Sequence, residues 1–294
     1  MSTEQIAIEN TKSQSKIKAL MALTKMRLSF LVVISSVTGY LFASGNFGLN
    51  FWLLIIGGYF ITGASNAFNQ IIEKELDKKM PRTAKRPLPT NSMSVTEAFI
   101  WATALAIIGA ILLFQINFFS GILGLLALSI YVFLYTPLKR ITPWAVFVGA
   151  FPGAIPPMLG VVAVQNEFSL LAGIMFLVQF VWQFPHFWAI AWVVDEDYAK
   201  GGFSLLPSKG RKDKKSATII LLSSILLVPA GVLPYIFSFT GVISLVVGLL
   251  AGLWFLWITI QFYLTLDDKL ARKLMFASFI YLPIIQFLYV FNHI

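Results

Sequence analysis

The sequence predicts an all-α polytopic membrane protein with nine transmembrane helices. Three observations carry that prediction. The 294 residues are 58% hydrophobic and only 12% charged, with a mean hydropathy of +0.81, where soluble domains run to about 25% charged residues. Nine stretches are long enough for a helix to cross a bilayer, which takes about 20 apolar residues. Finally, every Lys and Arg falls before the first stretch or in alternate loops. The composition excludes an ordinary soluble globule, and its hydrophobicity excludes a disordered chain. Without cysteine there is neither a disulfide nor a thiolate metal site.

Residues 1–28 form a polar, basic tail carrying Lys12, Lys16, Lys18, Lys25 and Arg27. The tail is too long and polar for the start of a cleaved signal peptide. Within it, residues 17–23 read as a short interfacial helix. The domain organisation expected is this tail followed by one membrane domain over residues 29–294.

The first span is expected over residues 30–47 and the second over 53–72. A loop with six cations, Lys74 to Arg86, follows the second span. Spans three and four, 98–114 and 118–135, are joined by a few residues around Asn117. Lys139 and Arg140 precede span five, 144–164, in which Pro156 and Pro157 are expected to break the helix and widen a cavity. Span six, 170–193, leads into six more cations, Lys200 to Lys215. Spans seven, eight and nine cover 217–237, 242–264 and 274–291, with Lys269, Arg272 and Lys273 between the last two. The remaining loops hold no cation, so the positive-inside rule places the N-terminus in the cytoplasm and the C-terminus outside. The net charge of +9 is then a topology signal and not a nucleic-acid footprint.

Twelve of the 13 acids also lie on or beside the cytoplasmic face; Glu167 is the exception. Asp and Glu contribute little to topology, so their clustering needs another cause. Asn69, Glu73 and Asp77 are spaced by four residues, and at about 100° per residue such positions share one helical face. Three oxygen-bearing side chains at the end of a span suit Mg²⁺, which is commonly completed by substrate phosphates. A solvated helix end with paired charges is the plainer reading of the same spacing. Asp195, Glu196 and Asp197 repeat the acidic signal after span six, where the helix should fray or bend because residues 195 and 197 cannot share a face. Arg82, Lys85, Arg86, Lys139 and Lys209 surround both groups. Carboxylates with Mg²⁺, ringed by cations at a membrane surface, make a diphosphate site over an apolar pocket for an isoprenoid tail. Aromatic faces from the 27 Phe, 8 Trp and 9 Tyr can shield an allylic cation, though most of them serve packing.

The stretch from Asn69 to Asp77 resembles the Asn-x-x-x-Asp-x-x-x-Asp signature of the UbiA superfamily of intramembrane prenyltransferases, with Glu73 in place of the first Asp. Further segments narrow the resemblance: Arg82-Thr-Ala-Lys85-Arg86-Pro-Leu88, Tyr135-Thr-Pro-Leu-Lys139-Arg140, Gly149 to Gly160, Trp182-Gln-Phe-Pro-His186-Phe-Trp188, and Asp197 to Pro207. Together they are similar to the haem O synthase (protohaem IX farnesyltransferase) branch. Asp195-x-Asp197 is degenerate beside the second acidic motif of other branches, and Pro143-Trp144-Ala145 lacks an Asn that many haem O synthases carry.

The resemblance implies a UbiA-like helical bundle in a bacterial inner membrane that transfers farnesyl from farnesyl diphosphate to haem B with Mg²⁺. It implies a first metal-diphosphate unit at Asn69, Glu73 and Asp77 and a second at Asp197, with Asp195 beside it. Tyr135 and Lys139 would lie near the diphosphate or the nascent cation, and Arg82, Lys85, Arg86 and Lys209 would hold phosphate oxygens. It also allows a haem A synthase or oxidase-assembly partner. An intramembrane histidine is a functional candidate. His186 reads either as an axial haem ligand or as a pocket residue bonded to a carbonyl freed at Pro185. A quinone-precursor prenyltransferase is the nearest rival, and a transporter the rival of another class. Transporters, however, place charge near the membrane midplane.

Overall fold

The computed structural model describes residues 16–44 and 46–294. Among these, nine helices are long and apolar enough to cross a membrane. They are α1 (Met26–Ser44), α2 (Leu49–Asp77), α3 (Val95–Ile116), α4 (Phe118–Leu138), α5 (Ala145–Gln165), α6 (Leu170–Val193), α7 (Lys214–Ile236), α8 (Val242–Thr265) and α9 (Asp268–Phe291). The nine expected spans are all present. The largest differences are at α2 and α9: α2 continues to Asp77, and α9 starts at Asp268, six residues ahead of its expected boundary. Residues 16–23 form the short helix expected there, with Ile17 exposed and Leu23 buried.

Helix starts follow local chemistry. The side chains of Ser94, Asn117, Ser169 and Asp213 accept bonds from backbone N–H groups in the first turns of α3, α4, α6 and α7, donors that would otherwise lack partners. Asn166 and Leu266 adopt the left-handed conformation where α5 and α8 end.

In the membrane there is no hydrophobic drive between helices, so close packing of small residues takes its place. A Cβ on Gly160 would sit 2.0 Å from the Ser36 carbonyl oxygen, and one on Gly39 would sit 2.0 Å from that of Pro157. The α1 and α5 backbones therefore touch. Packing continues from α2 to α3, α4, α5 and α6, then to α9, which returns to α1. Together these helices close a ring around a central cavity, with α7 and α8 behind α6 and α9.

One expectation about proline needs correction. Helix α5 runs unbroken through Pro152, Pro156 and Pro157; α6 likewise continues through Pro185. Pro157 removes the donor for the Gly153 carbonyl, and Gln179 Nε2 of α6 supplies one at 3.1 Å. A neighbouring side chain repairs the ladder, so the helix does not break. In α4 the irregularity takes another form, with a π-helical stretch at Ile130–Tyr135.

Candidate active site

The central cavity has a volume of about 440 Å³, within the roughly 300–1,000 Å³ typical of a small-molecule site. Asn69, Glu73 and Asp77 all line it, and all three are buried. The i, i+4, i+8 spacing on α2 thus points inward as expected. Asn69 Nδ2 donates to Thr136 Oγ1 at 3.1 Å. That hydroxyl in turn donates to the Tyr131 carbonyl at 2.8 Å, so the π-helical stretch of α4 orients the amide.

Each carboxylate carries a cation. Arg86 Nη1 donates to Asp77 Oδ1 at 2.9 Å and Oδ2 at 2.7 Å. The loop after α2 coils back in successive turns to bring it there: Thr83 bonds to Met80 and Arg86 to Thr83 along the backbone, while Thr83 Oγ1 donates to the Asp77 carbonyl. Lys139 Nζ lies 2.5 Å from Glu73 Oε1, a largely buried ion pair. The same ammonium sits 5.0 Å from the Tyr135 ring centroid and 5.4 Å from that of Phe203.

The second acidic group divides. As the sequence requires, α6 stops at Val193 and a short helix, Asp195–Lys200, turns away from it. Asp197 Oδ2 meets Arg82 Nε at 3.6 Å, and Arg82 also lies 5.6 Å from the Tyr198 ring centroid. Arg82 and Tyr198 line the cavity, so this contact joins the segments after α2 and α6 beside it. Asp195, Asp197, Lys85 and Lys209 do not line it. Lys85 and Lys209 are exposed. Burial raises the Asp195 carboxyl above the usual range, with nearby Lys212 opposing the shift.

Among the described residues, no three His, Cys, Asp or Glu side chains gather closely enough to hold a metal. The oxygen donors Asn69, Glu73 and Asp77 nevertheless fit Mg²⁺, which takes few protein ligands and completes its shell with water and phosphate. The buried carboxylates of Glu73 and Asp77 are hard oxygen donors of the kind such an ion takes.

His186 lines the same cavity. Its Nδ1 lies 2.7 Å from Ser278 Oγ on α9, so it bonds there and not to a carbonyl freed at Pro185. Its ring stacks on Trp182 at 4.2 Å between centroids, and Trp182 Nε1 donates to the Ser278 carbonyl.

Sequence reading missed Lys25, which it counted only as a topology cation. Lys25 lines the cavity from a left-handed backbone position, φ 47°. Gln70 Nε2 of α2 holds the preceding carbonyls of Ala22 and Leu23 at 3.0 and 2.7 Å, which pins the turn. Burial around the amine, reinforced by Arg86 and Lys139 and opposed by Glu73 and Asp77, lowers its pKa to about 7. The available signal was Gln70, a buried amide on a membrane helix with a partner to find.

Against this geometry, the profile of the UbiA prenyltransferase family matches residues 32–282. The chain belongs to that family. A protoheme IX farnesyltransferase of Cytophaga hutchinsonii is 46% identical over 283 residues, spanning 95% of this chain and 99% of that protein. One of Flavobacterium psychrophilum is 47% identical over 92% of each chain, and a mitochondrial one of Arabidopsis thaliana is 36% identical over 89% of this chain. The fold matches the structure of a digeranylgeranylglyceryl phosphate synthase with a TM-score of 0.80, at 20% identity over 94% of this chain and 98% of that one. A UbiA homologue of Archaeoglobus fulgidus bound to GPP and Mg²⁺ gives 0.67 at 15% identity, over 92% and 99%. The expected bundle is therefore the fold of the family, and the chain is an integral membrane protein.

Proposed function

We propose that this protein transfers a farnesyl group from farnesyl diphosphate to a vinyl group of haem B, giving haem O. One observation carries the reading. The Glu73–Lys139 and Asp77–Arg86 pairs lie in the same cavity as His186, which sets a diphosphate-type site and a haem-type wall in one space. The relatives named protoheme IX farnesyltransferase support the acceptor. The Archaeoglobus homologue with GPP and Mg²⁺ supports a prenyl diphosphate donor.

In this reading Asn69, Glu73 and Asp77 would hold Mg²⁺, which would supply neutralisation of the diphosphate charge. Arg86, Lys139, Arg82 and Lys25 take phosphate oxygens and stabilise the leaving group as its C–O bond breaks. Asp197 serves the second metal-diphosphate unit through its place beside Arg82. Lys85 and Lys209, exposed outside the cavity, would attract the arriving diphosphate by charge alone, while Asp195 takes no direct part. The diphosphate departs with the electron pair, and Tyr135 beside the Lys139 ammonium flanks the allylic carbon. The haem vinyl π pair then bonds to that carbon. Water adds to the resulting cation and loses a proton, leaving a hydroxyethylfarnesyl group. The rings of Tyr131, Tyr135, Phe187 and Phe203 in the cavity wall would keep water from the allylic carbon until the new bond has formed.

The loop charges support a cytoplasmic N-terminus and a bacterial inner-membrane location, with residues 1–28 as a tail and 29–294 as one domain. A haem A synthase or an oxidase-assembly factor would be a suitable recipient of the product.

The test is direct. Purified protein is given haem B, farnesyl diphosphate and Mg²⁺, and the haems are weighed by mass spectrometry. The expected product has gained farnesyl plus water, and Asp77→Ala abolishes it. No such gain, or one indifferent to Asp77→Ala, overturns the assignment.

A further inference from the structure

Beyond Asn69 the cavity lining runs along α2 past Asn66, Ser65 and Thr62 to an apolar end, where Gly58, Ile61, Leu113, Gly124 and Ala127 line it. Leu113 of α3 crosses the gap between α2 and α4. A Cβ placed on Gly57 would lie 3.1 Å from Leu113 Cδ2, and one on Gly124 would lie 2.4 Å from Leu113 Cδ1. Neither glycine can carry a side chain unless Leu113 moves, so the pair holds the leucine across this end. The side chain is fully buried.

We propose that Leu113 is the floor of the isoprenoid channel and sets the donor at three isoprene units. This rests on the prenyl-transfer reading above. Asn69 and Gly58 are eleven residues apart on one helix, about 16 Å at 1.5 Å per residue. An extended three-isoprene chain, with carbon–carbon bonds of about 1.5 Å, reaches about 14 Å, and a fourth unit adds about 5 Å. The longer tail therefore meets Leu113 and the shorter one leaves the apolar end part empty. Gly58 offers a second handle. A Cβ there finds only Val33 Cγ2 of α1, at 3.8 Å, and Gly58 lines the cavity, so a larger side chain has room to take up space at this end.

The experiment offers geranyl, farnesyl and geranylgeranyl diphosphates to the full-length protein with haem B and Mg²⁺, and weighs the products. Wild type should favour farnesyl. Leu113→Ala should raise the geranylgeranyl-to-farnesyl ratio of kcat/KM by about tenfold or more, the scale of discrimination an apolar pocket supplies. Gly58→Leu should raise the geranyl-to-farnesyl ratio by about tenfold. If Leu113→Ala fails to fold, Gly58→Leu decides. Unchanged ratios in the folded variants overturn the proposal. If wild type prenylates haem with none of the three, the catalytic reading falls instead. Calorimetric binding of the same three diphosphates then still tests the floor, since the chain-length preference should shift in the same directions.

Discussion

His186 Nδ1 stands 2.7 Å from Ser278 Oγ, and that hydroxyl already donates to the Met275 carbonyl at 2.6 Å. A serine has one proton to give, so the imidazole must be the donor. Nδ1 therefore carries hydrogen, and Nε2 keeps its lone pair. This is the tautomer of a metal-ligating histidine whose second nitrogen is held by an outer partner. In wild type, haem B should bind with the Soret band of a histidine-ligated iron. His186→Ala should shift that band and weaken haem binding. Ser278→Ala should cost about 10- to 100-fold in affinity through the loosened ring. A spectrum and affinity unchanged in His186→Ala would reduce His186 to a pocket residue.

The Arg86–Asp77 pair is buried on the carboxylate side, with the Asp77 side chain 1% exposed. Arg86→Ala leaves that charge without its partner, a change that costs about 3–5 kcal/mol when both ions are enclosed. The variant should melt at a lower temperature in detergent and show a raised KM for farnesyl diphosphate. Glu73→Gln keeps the shape of the site but removes charge. Its kcat should fall by about 10²–10³, with a steeper requirement for Mg²⁺. Both results are read from thermal scans and steady-state kinetics.

Lys25 gives a pH dependence of defined sign. Its pKa is lowered to about 7 in the empty site, so between that value and the usual lysine range the unfolded chain binds more protons. Stability contributed through this residue therefore rises with pH across that window, and its burial cost is fully present below it. The groups acting on it are Arg86, Lys139, Glu73 and Asp77. Lys25→Met should stabilise the empty protein at neutral pH, with the advantage shrinking as pH rises toward 10. Added diphosphate should draw a proton onto Lys25. Calorimetry near pH 8 in buffers of different ionisation enthalpy should show net uptake, absent in Lys25→Met.

Where α1 meets α5, the contact leaves no room for a methyl group. Gly160→Ala would place its Cβ 2.0 Å from the Ser36 carbonyl oxygen, a backbone atom that cannot swing aside. The two helices must separate, and the expected result is a Tm drop and a cavity that no longer holds either substrate firmly. Gly173→Ala, where nothing lies within 4 Å, is the matched control and should be silent.

The spans were legible because hydrocarbon thickness imposes a length, and length along a chain is one-dimensional. The inward face of Asn69, Glu73 and Asp77 was legible for a similar reason, since helical spacing fixes it. Lys25 was not, because its place depends on a turn held by Gln70 from another helix. Nor was the repair of α5 at Pro157, which depends on Gln179 of α6. In both cases a buried amide on one helix completes the backbone of another. Lys85 and Lys209 look equivalent to Arg86 in composition, yet the turns between Met80 and Arg86 bring only the last of the three over Asp77.

The pairing of Glu73 with Lys139 and of Asp77 with Arg86 has a thermodynamic consequence for how substrate enters. Both carboxylates already have counterions inside the protein. A metal arriving alone must strip them and strand two cations. A diphosphate arriving alone must take the cations and strand two carboxylates. Only the two together conserve the number of opposite-charge contacts, as in a double exchange between two salts. Metal and diphosphate should then raise one another's affinity by the same factor, and the empty enzyme should hold little of either by itself.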